Sequence, residues 1–167
     1  MKRILLFTYG LLIAGTPLLF AQTFTEDFES GAIPESVTLI NGDGLIPSLA
    51  EDGGWADTAW IASTSSAFEG FAALSISWYQ DENDNDVGPA DDWMILPKMM
   101  ISDGASLNFD AKSATSTGDF PDDFWVLVNT GEPTIESFES DGAILLQVDD
   151  EAFEEFTNYN LDLGEYA

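Results

Sequence analysis

In Ser106–Ala111, Leu107, Phe109 and Ala111 alternate with Ser106, Asn108 and Asp110. Successive side chains of a strand point to opposite faces, so this spacing makes a ribbon with one apolar and one wet side. The pattern returns twice. In one stretch Ala72, Leu74, Ile76 and Trp78 share a face opposite Ala73, Ser75 and Ser77; in the other Thr157, Tyr159, Leu161 and Leu163 alternate with Phe156, Asn158, Asn160 and Asp162. Two further runs, Trp93–Leu96 and Phe124–Val128, are apolar on both faces, as central strands of a two-sheet core are. Weaker strands are predicted at Thr23–Glu29, Val37–Asn41, Ala59–Ala62 and Ala143–Val148. Between these runs lie turn-rich stretches such as SGAIP, NGDG, EDGG, DENDNDVGPA and NTGEP. A single helical turn is predicted at Pro133–Phe138, with proline near its start. No repeat of fixed period is visible. Many short strands, polar turns and almost no helix predict an all-β sandwich or barrel.

The first residues do not belong to that pattern. Lys2 and Arg3 precede an apolar run from Ile4 to Phe20 that stops at Ala21, which is the layout of a secretory signal peptide. The expected organisation is therefore a leader over residues 1–21 and one domain over 22–167, exported and not membrane-spanning. The leader takes two of the four basic residues and none of the 31 acidic ones, so the exported chain is two units more negative than the full-length −27. Nucleic acid is excluded as a partner, because phosphate binding depends on Lys and Arg. Disorder is excluded too, since 45% of the residues are hydrophobic and 13% aromatic.

The chain has no histidine and no cysteine. That removes the usual nucleophile and base pairs and the usual zinc and redox sites. A glycosidase carboxylate pair needs neither residue, but adjacent Asp91 and Asp92 point to opposite sides of an extended chain and cannot serve as one. Distant carboxylates are left as the only enzymatic alternative. Calcium, a hard cation that takes carboxylate, amide and backbone oxygens, is the chemistry this composition leaves open. The run Asp81–Asp86 has the alternation of acid and amide seen in a helix-loop-helix calcium loop, yet Asp86 and Asp92 stand where that loop needs glycine and glutamate. It reads as a solvated acidic loop. In NGDG, Asp43 is either a turn residue or a ligand. Glu29 closes an alternating run, and Asp92 opens a strand. Trp78, Trp93 and Trp125 lie in strand runs and are expected in the core; Trp55 and Trp60, beside loops, are the candidate faces for stacking on a ligand.

The stretches FTEDFESGAIPESVTLINGDG, SISWY, ADDWMILPKMMI, ASLNFDAKS, DFWVLVNTGEP and NYNLDLGEYA, in this order, resemble the cleaved adhesin domain, also called the choice-of-anchor J domain, of gingipain adhesin regions and exported Bacteroidetes proteins. The resemblance runs from Thr23 to Ala167. It implies a jelly-roll-type β-sandwich that binds structural calcium and serves in adhesion to proteins, cells or glycans without catalysis. It places Glu29, Asp43, Asp91 and Asp92 at acidic motif positions of the family, so these four are the expected metal ligands, with Trp55 and Trp60 the expected ligand-binding residues. The family continues past the equivalent of DLGEYA with two more strands, the last bringing a further acid. The expectation is thus a sandwich short of its last strands, part of a larger multidomain surface protein. The rival from another class is a carbohydrate-binding accessory module of a polysaccharide-degrading enzyme.

Overall fold

A computed structural model describes residues 24–45, 59–80, 86–113 and 121–167. The leader expected over residues 1–21, Trp55 and most of the acidic run after Gln80 lie outside the described residues. The regular structure of the described chain is mostly strand: β1 (Thr38–Asn41), β2 (Ile61–Ser63), β3 (Ala72–Leu74), β4 (Tyr79–Gln80), β5 (Asp86–Val87), β6 (Asp92–Ile95), β7 (Ser106–Ala111), β8 (Phe124–Val128), β9 (Ala143–Val148) and β10 (Thr157–Asp162). One α-helix, α1 (Ile135–Asp141), separates β8 from β9, and a 3-10 turn at Gly164–Tyr166 follows β10. The all-β expectation holds at this level.

The strands pair two by two and always antiparallel: β1 with β6, β2 with β3, β4 with β5, β7 with β10, and β8 with β9. The clearest sequence pattern gives the most regular ladder, in which β7 and β10 run in unbroken register from Thr157 opposite Ala111 to Asp162 opposite Ser106. Its half-buried face carries Leu107, Phe109, Ala111, Thr157, Tyr159 and Leu161, while the intervening residues are exposed. Phe109 and Tyr159 stack with ring centroids 5.1 Å apart. Phe124 of β8 stands edge-on to Tyr159 at 5.7 Å and to Phe109 at 6.1 Å. Rings at this spacing favour such edge-to-face contact. It ties the β8–β9 pair to the β7–β10 pair.

Helix α1 is two turns long, one more than predicted. Thr134 caps its start with an extended backbone, its hydroxyl accepting from Ser137 N at 3.3 Å, and Pro133 precedes the cap. Phe138 on this helix meets Trp93 of β6 with centroids 5.8 Å apart.

Three sequence expectations fail. The strand predicted at Thr23–Glu29 does not form over its described part, residues 24–29: Glu26 accepts from Phe28 N at 2.7 Å and Asp27 from Glu29 N at 3.1 Å, and Phe28 takes a positive φ of 59°. Short acidic side chains here offer the backbone a partner that competes with a strand ladder. The alternating run Ala72–Trp78 keeps strand geometry only to Leu74, because the serines beyond it turn to distant aspartates, Ser75 to Asp92 and Ser77 to Asp122. Trp78 and Trp125, expected in the core, are 50% and 60% exposed. In β8 both parities are apolar, so the pattern held no sign of which face would be covered; the ladder turns Phe124 into the aromatic cluster and Trp125 away from it.

Candidate functional site

The β1–β6 register decides where the acids meet. Asn41 pairs with Asp92, so the residues just past the ladder, Gly42 and Asp91, also lie side by side, and Gly42 N donates to Asp91 O at 2.7 Å. The approach is close enough to require glycine: a Cβ at position 42 would sit 2.8 Å from Asp91 O and nearer still to its carboxylate. The chain then turns. Asn41 Oδ1 accepts from Gly44 N at 2.6 Å, Asn41 Nδ2 donates to Leu45 O at 2.8 Å, and Gly44 has a φ of +70°. Side chains of Asn and Asp bonding to nearby backbone form such turns readily.

Asp43 does more than shape the turn. Its Oδ1 accepts from Leu45 N at 2.6 Å while its Oδ2 accepts from Asp91 N, also at 2.6 Å, crossing to the neighbouring strand. Asp91 in turn holds the Trp93 indole, whose Nε1 donates to Oδ1 at 2.6 Å. Each of these carboxylates is thus oriented by N–H donors on at least one oxygen.

Asp92 faces inward and collects groups from three other parts of the chain. Its Oδ2 accepts from Tyr79 Oη at 2.6 Å and from Ser75 Oγ at 2.9 Å, and its backbone carbonyl accepts from Trp60 Nε1 at 3.4 Å. Tyr79 is only 1% exposed. The other carboxylate oxygen, Asp92 Oδ1, is buried with no partner. Burial raises the carboxyl above the usual aspartate range; the bonds from Tyr79 and Ser75 pull it back down, and the charges of Asp43 and Asp91 push it up. Tyr79 is pushed up as well, first by burial and then by its bond to Asp92. A proton shared between a buried phenol and a carboxylate stays on the phenol under these shifts.

Three of the four acids expected to bind metal therefore gather at one end of the β1–β6 pair. Glu29 is occupied elsewhere: it is exposed, and its Oε1 accepts from Phe71 N at 3.2 Å beside Gly70, whose φ of +80° and missing Cβ leave room for that carboxylate. Among the described residues, no three acids are drawn close enough together to cage an ion by themselves. What fits a hard cation is the chemistry of the donors: an unpartnered buried oxygen on Asp92, two neighbouring carboxylates, and serine and backbone oxygens. Trp60 is half-buried and its indole N–H is spent on Asp92, so it acts as a wall of this cluster, with less ring surface open than a stacking platform has. Sequence reasoning missed Tyr79 and Ser75. Nothing local marked them, because they stand 13 and 17 residues before Asp92.

Outside this cluster, two large apolar side chains of the β8–β9 pair are exposed, Trp125 to 60% and Ile144 to 59%. Among the described residues, no helix is long and apolar enough to cross a membrane. No family model matches the chain, and neither a curated protein nor a solved structure matches it.

Proposed function

We propose that this chain is a secreted, non-enzymatic binding module of a bacterial surface protein, stabilised by calcium and related to the cleaved adhesin domain. The observation that supports it most directly is Asp92: a carboxylate with one buried, unpartnered oxygen, beside Asp43 and Asp91, in a chain of net charge −27. Calcium would be held by Asp92 Oδ1 together with Asp43 or Asp91 and neutral oxygens, which is how this ion completes a shell when carboxylates alone are too few. It would fasten β1 and β6 to the segment between β3 and β4, a role that disulfides play in exported proteins with cysteine. The absence of histidine and cysteine from the whole sequence also favours binding over catalysis.

The test uses the full chain on arrays of purified extracellular proteins and of glycans, with calcium chloride or with chelator. Binding that needs calcium and is lost in Asp92→Asn supports the proposal. Binding indifferent to both, or release of sugar from any glycan on the array, overturns it. A carbohydrate-binding accessory module is the second reading, favoured by the exposed Trp125 ring, since an aromatic face stacks on sugars. It requires glycan binding that Trp125→Ala abolishes, with the protein array silent.

A further inference from the structure

Among the described residues, four glycines follow an asparagine or an aspartate: Gly42 after Asn41, Gly44 after Asp43, Gly104 after Asp103 and Gly142 after Asp141. Such pairs carry a reaction of their own. The glycine nitrogen, with no side chain beside it, can attack the γ-carbon of the preceding residue and close a five-membered imide. The attack needs that nitrogen free and the side chain able to swing onto it, so a fold that binds either one suppresses the step.

Three of the four pairs are held. Gly42 N donates to Asp91 O at 2.7 Å, and both ends of the Asn41 amide are engaged, Oδ1 by Gly44 N at 2.6 Å and Nδ2 on Leu45 O at 2.8 Å. That bond also occupies Gly44 N, while both Asp43 oxygens accept, from Leu45 N and from Asp91 N. Gly142 N donates to Phe138 O at 2.9 Å, closing helix α1. Asp103–Gly104 differs. Ser102, Asp103 and Gly104 are exposed in a four-residue turn closed by Ala105 N donating to Ser102 O at 3.0 Å, with Gly104 at a φ of +77°. Among the described residues, neither Gly104 N nor the Asp103 carboxylate has a hydrogen-bond partner.

We infer that Asp103–Gly104 is a self-modification site of the folded protein, where Asp103 isomerises to an isoaspartyl link. Gly104 N bonds to Asp103 Cγ, the nitrogen gives up its proton, the carboxyl gives up an oxygen, and one water leaves. One water then returns. Water that breaks the new N–Cγ bond restores aspartate; water that breaks the original peptide bond leaves the main chain running through the side chain, with the α-carboxylate free. No other reactant is consumed. The turn thereby gains a methylene just before β7, where Ala105 O accepts from Leu163 N at 2.9 Å, so the link loosens a bond that joins the start of β7 to the end of β10. Asn41–Gly42, the more reactive pair in an unfolded chain because an amide loses ammonia more readily than a carboxyl loses water, is kept intact at the end of the β1–β6 ladder.

The test ages the full chain in neutral buffer, with and without urea, then digests it; isoaspartyl carboxylates are labelled with an isoaspartyl-specific methyltransferase, and deamidation is read by mass. In the folded chain the label is expected in the peptide bearing Asp103, while the Asn41 peptide keeps its mass; in urea the Asn41 peptide is expected to react first. Asp103→Asn, at an exposed position, gives both turns the same dipeptide. Loss of ammonia at position 103 is then expected to be faster than at Asn41 by about tenfold or more in the folded chain, since a bonded site reacts only while it is open, with the two rates converging in urea. Asp103→Glu, whose longer side chain does not close the five-membered ring, is expected to remove the label. Equal rates at the two positions in folded Asp103→Asn, label at Asp43 or Asp141 ahead of Asp103, or label that persists in Asp103→Glu overturns the inference.

Discussion

Removal of one oxygen atom, in Tyr79→Phe, tests the electrostatic account of Asp92. The ring stays in place, so packing around a residue only 1% exposed is conserved and the change is confined to the hydroxyl. That hydroxyl donates to Asp92 Oδ2 at 2.6 Å, and Oδ1 has no partner, so the variant leaves Ser75 as the one remaining donor to this carboxylate among the described residues. A hydrogen bond to a charged group contributes about 1.5–3 kcal/mol. At about 2–4 °C per kcal/mol for a chain of this size, a central loss of about 2 kcal/mol lowers Tm by about 4–8 °C at neutral pH. Sign follows from the direction of the shift. Asp92 has its carboxyl raised in the folded state, so the fold holds this proton more tightly than the unfolded chain does. Its contribution to stability is complete below the ordinary aspartate value and is lost as pH rises through the raised one. Without the Tyr79 bond, which lowers that carboxyl, the folded value rises further, and the window of falling stability widens upward. Once Asp92 is protonated the bond is an ordinary neutral one, and the cost of the variant drops to about 1 kcal/mol. Thermal unfolding in calcium-free buffer across the acid range, for wild type, Tyr79→Phe, Asp92→Asn and the double variant, measures all of this. Equal losses for Tyr79→Phe at neutral pH and below the aspartate range, or additive effects in the double variant, refute the reasoning.

Three other outcomes follow from contacts described above. Gly42→Ala places a Cβ 2.8 Å from Asp91 O, a backbone atom that cannot swing aside, so chemical denaturation is expected to show a loss of about 1–3 kcal/mol. Glu29→Gln keeps an acceptor for Phe71 N, and its midpoint of thermal unfolding is expected to shift by under about 0.5 kcal/mol equivalent in calcium and in chelator alike; a loss seen only with calcium would put Glu29 back among the ligands. Phe109→Ala removes the ring that touches both Tyr159 and Phe124, and from a half-buried site it is expected to cost about 2–3 kcal/mol in urea unfolding, less than the 3–5 of a fully buried ring.

The sequence by itself determined the parts of this protein that depend on neighbours along the chain. Strands β7, β8 and β9 lie within the bounds their patterns predict, and β10 within its longer run, because alternation at period two is a local property that a pleated backbone reads directly. The turn at Asn41–Gly44 was equally legible, since its bonds span only a few residues. What only the tertiary structure decided is which carboxylates leave the solvent. Among 31 acids, Glu151 looks no different in sequence from Asp103 or Glu154, and Asp92 was one of four expected ligands with no sign of which would be buried, yet Asp92 and Glu151 each carry an oxygen buried and unpartnered. Their fates rest on partners far away in the chain: Tyr79 and Ser75 for Asp92, Ser113 and Asp122 for the segment bearing Glu151. The same holds for Trp125, whose exposure was invisible in a run apolar on both faces. Burial of a polar group is set by what packs over it, and that packing is a sum of long-range contacts which no local pattern encodes.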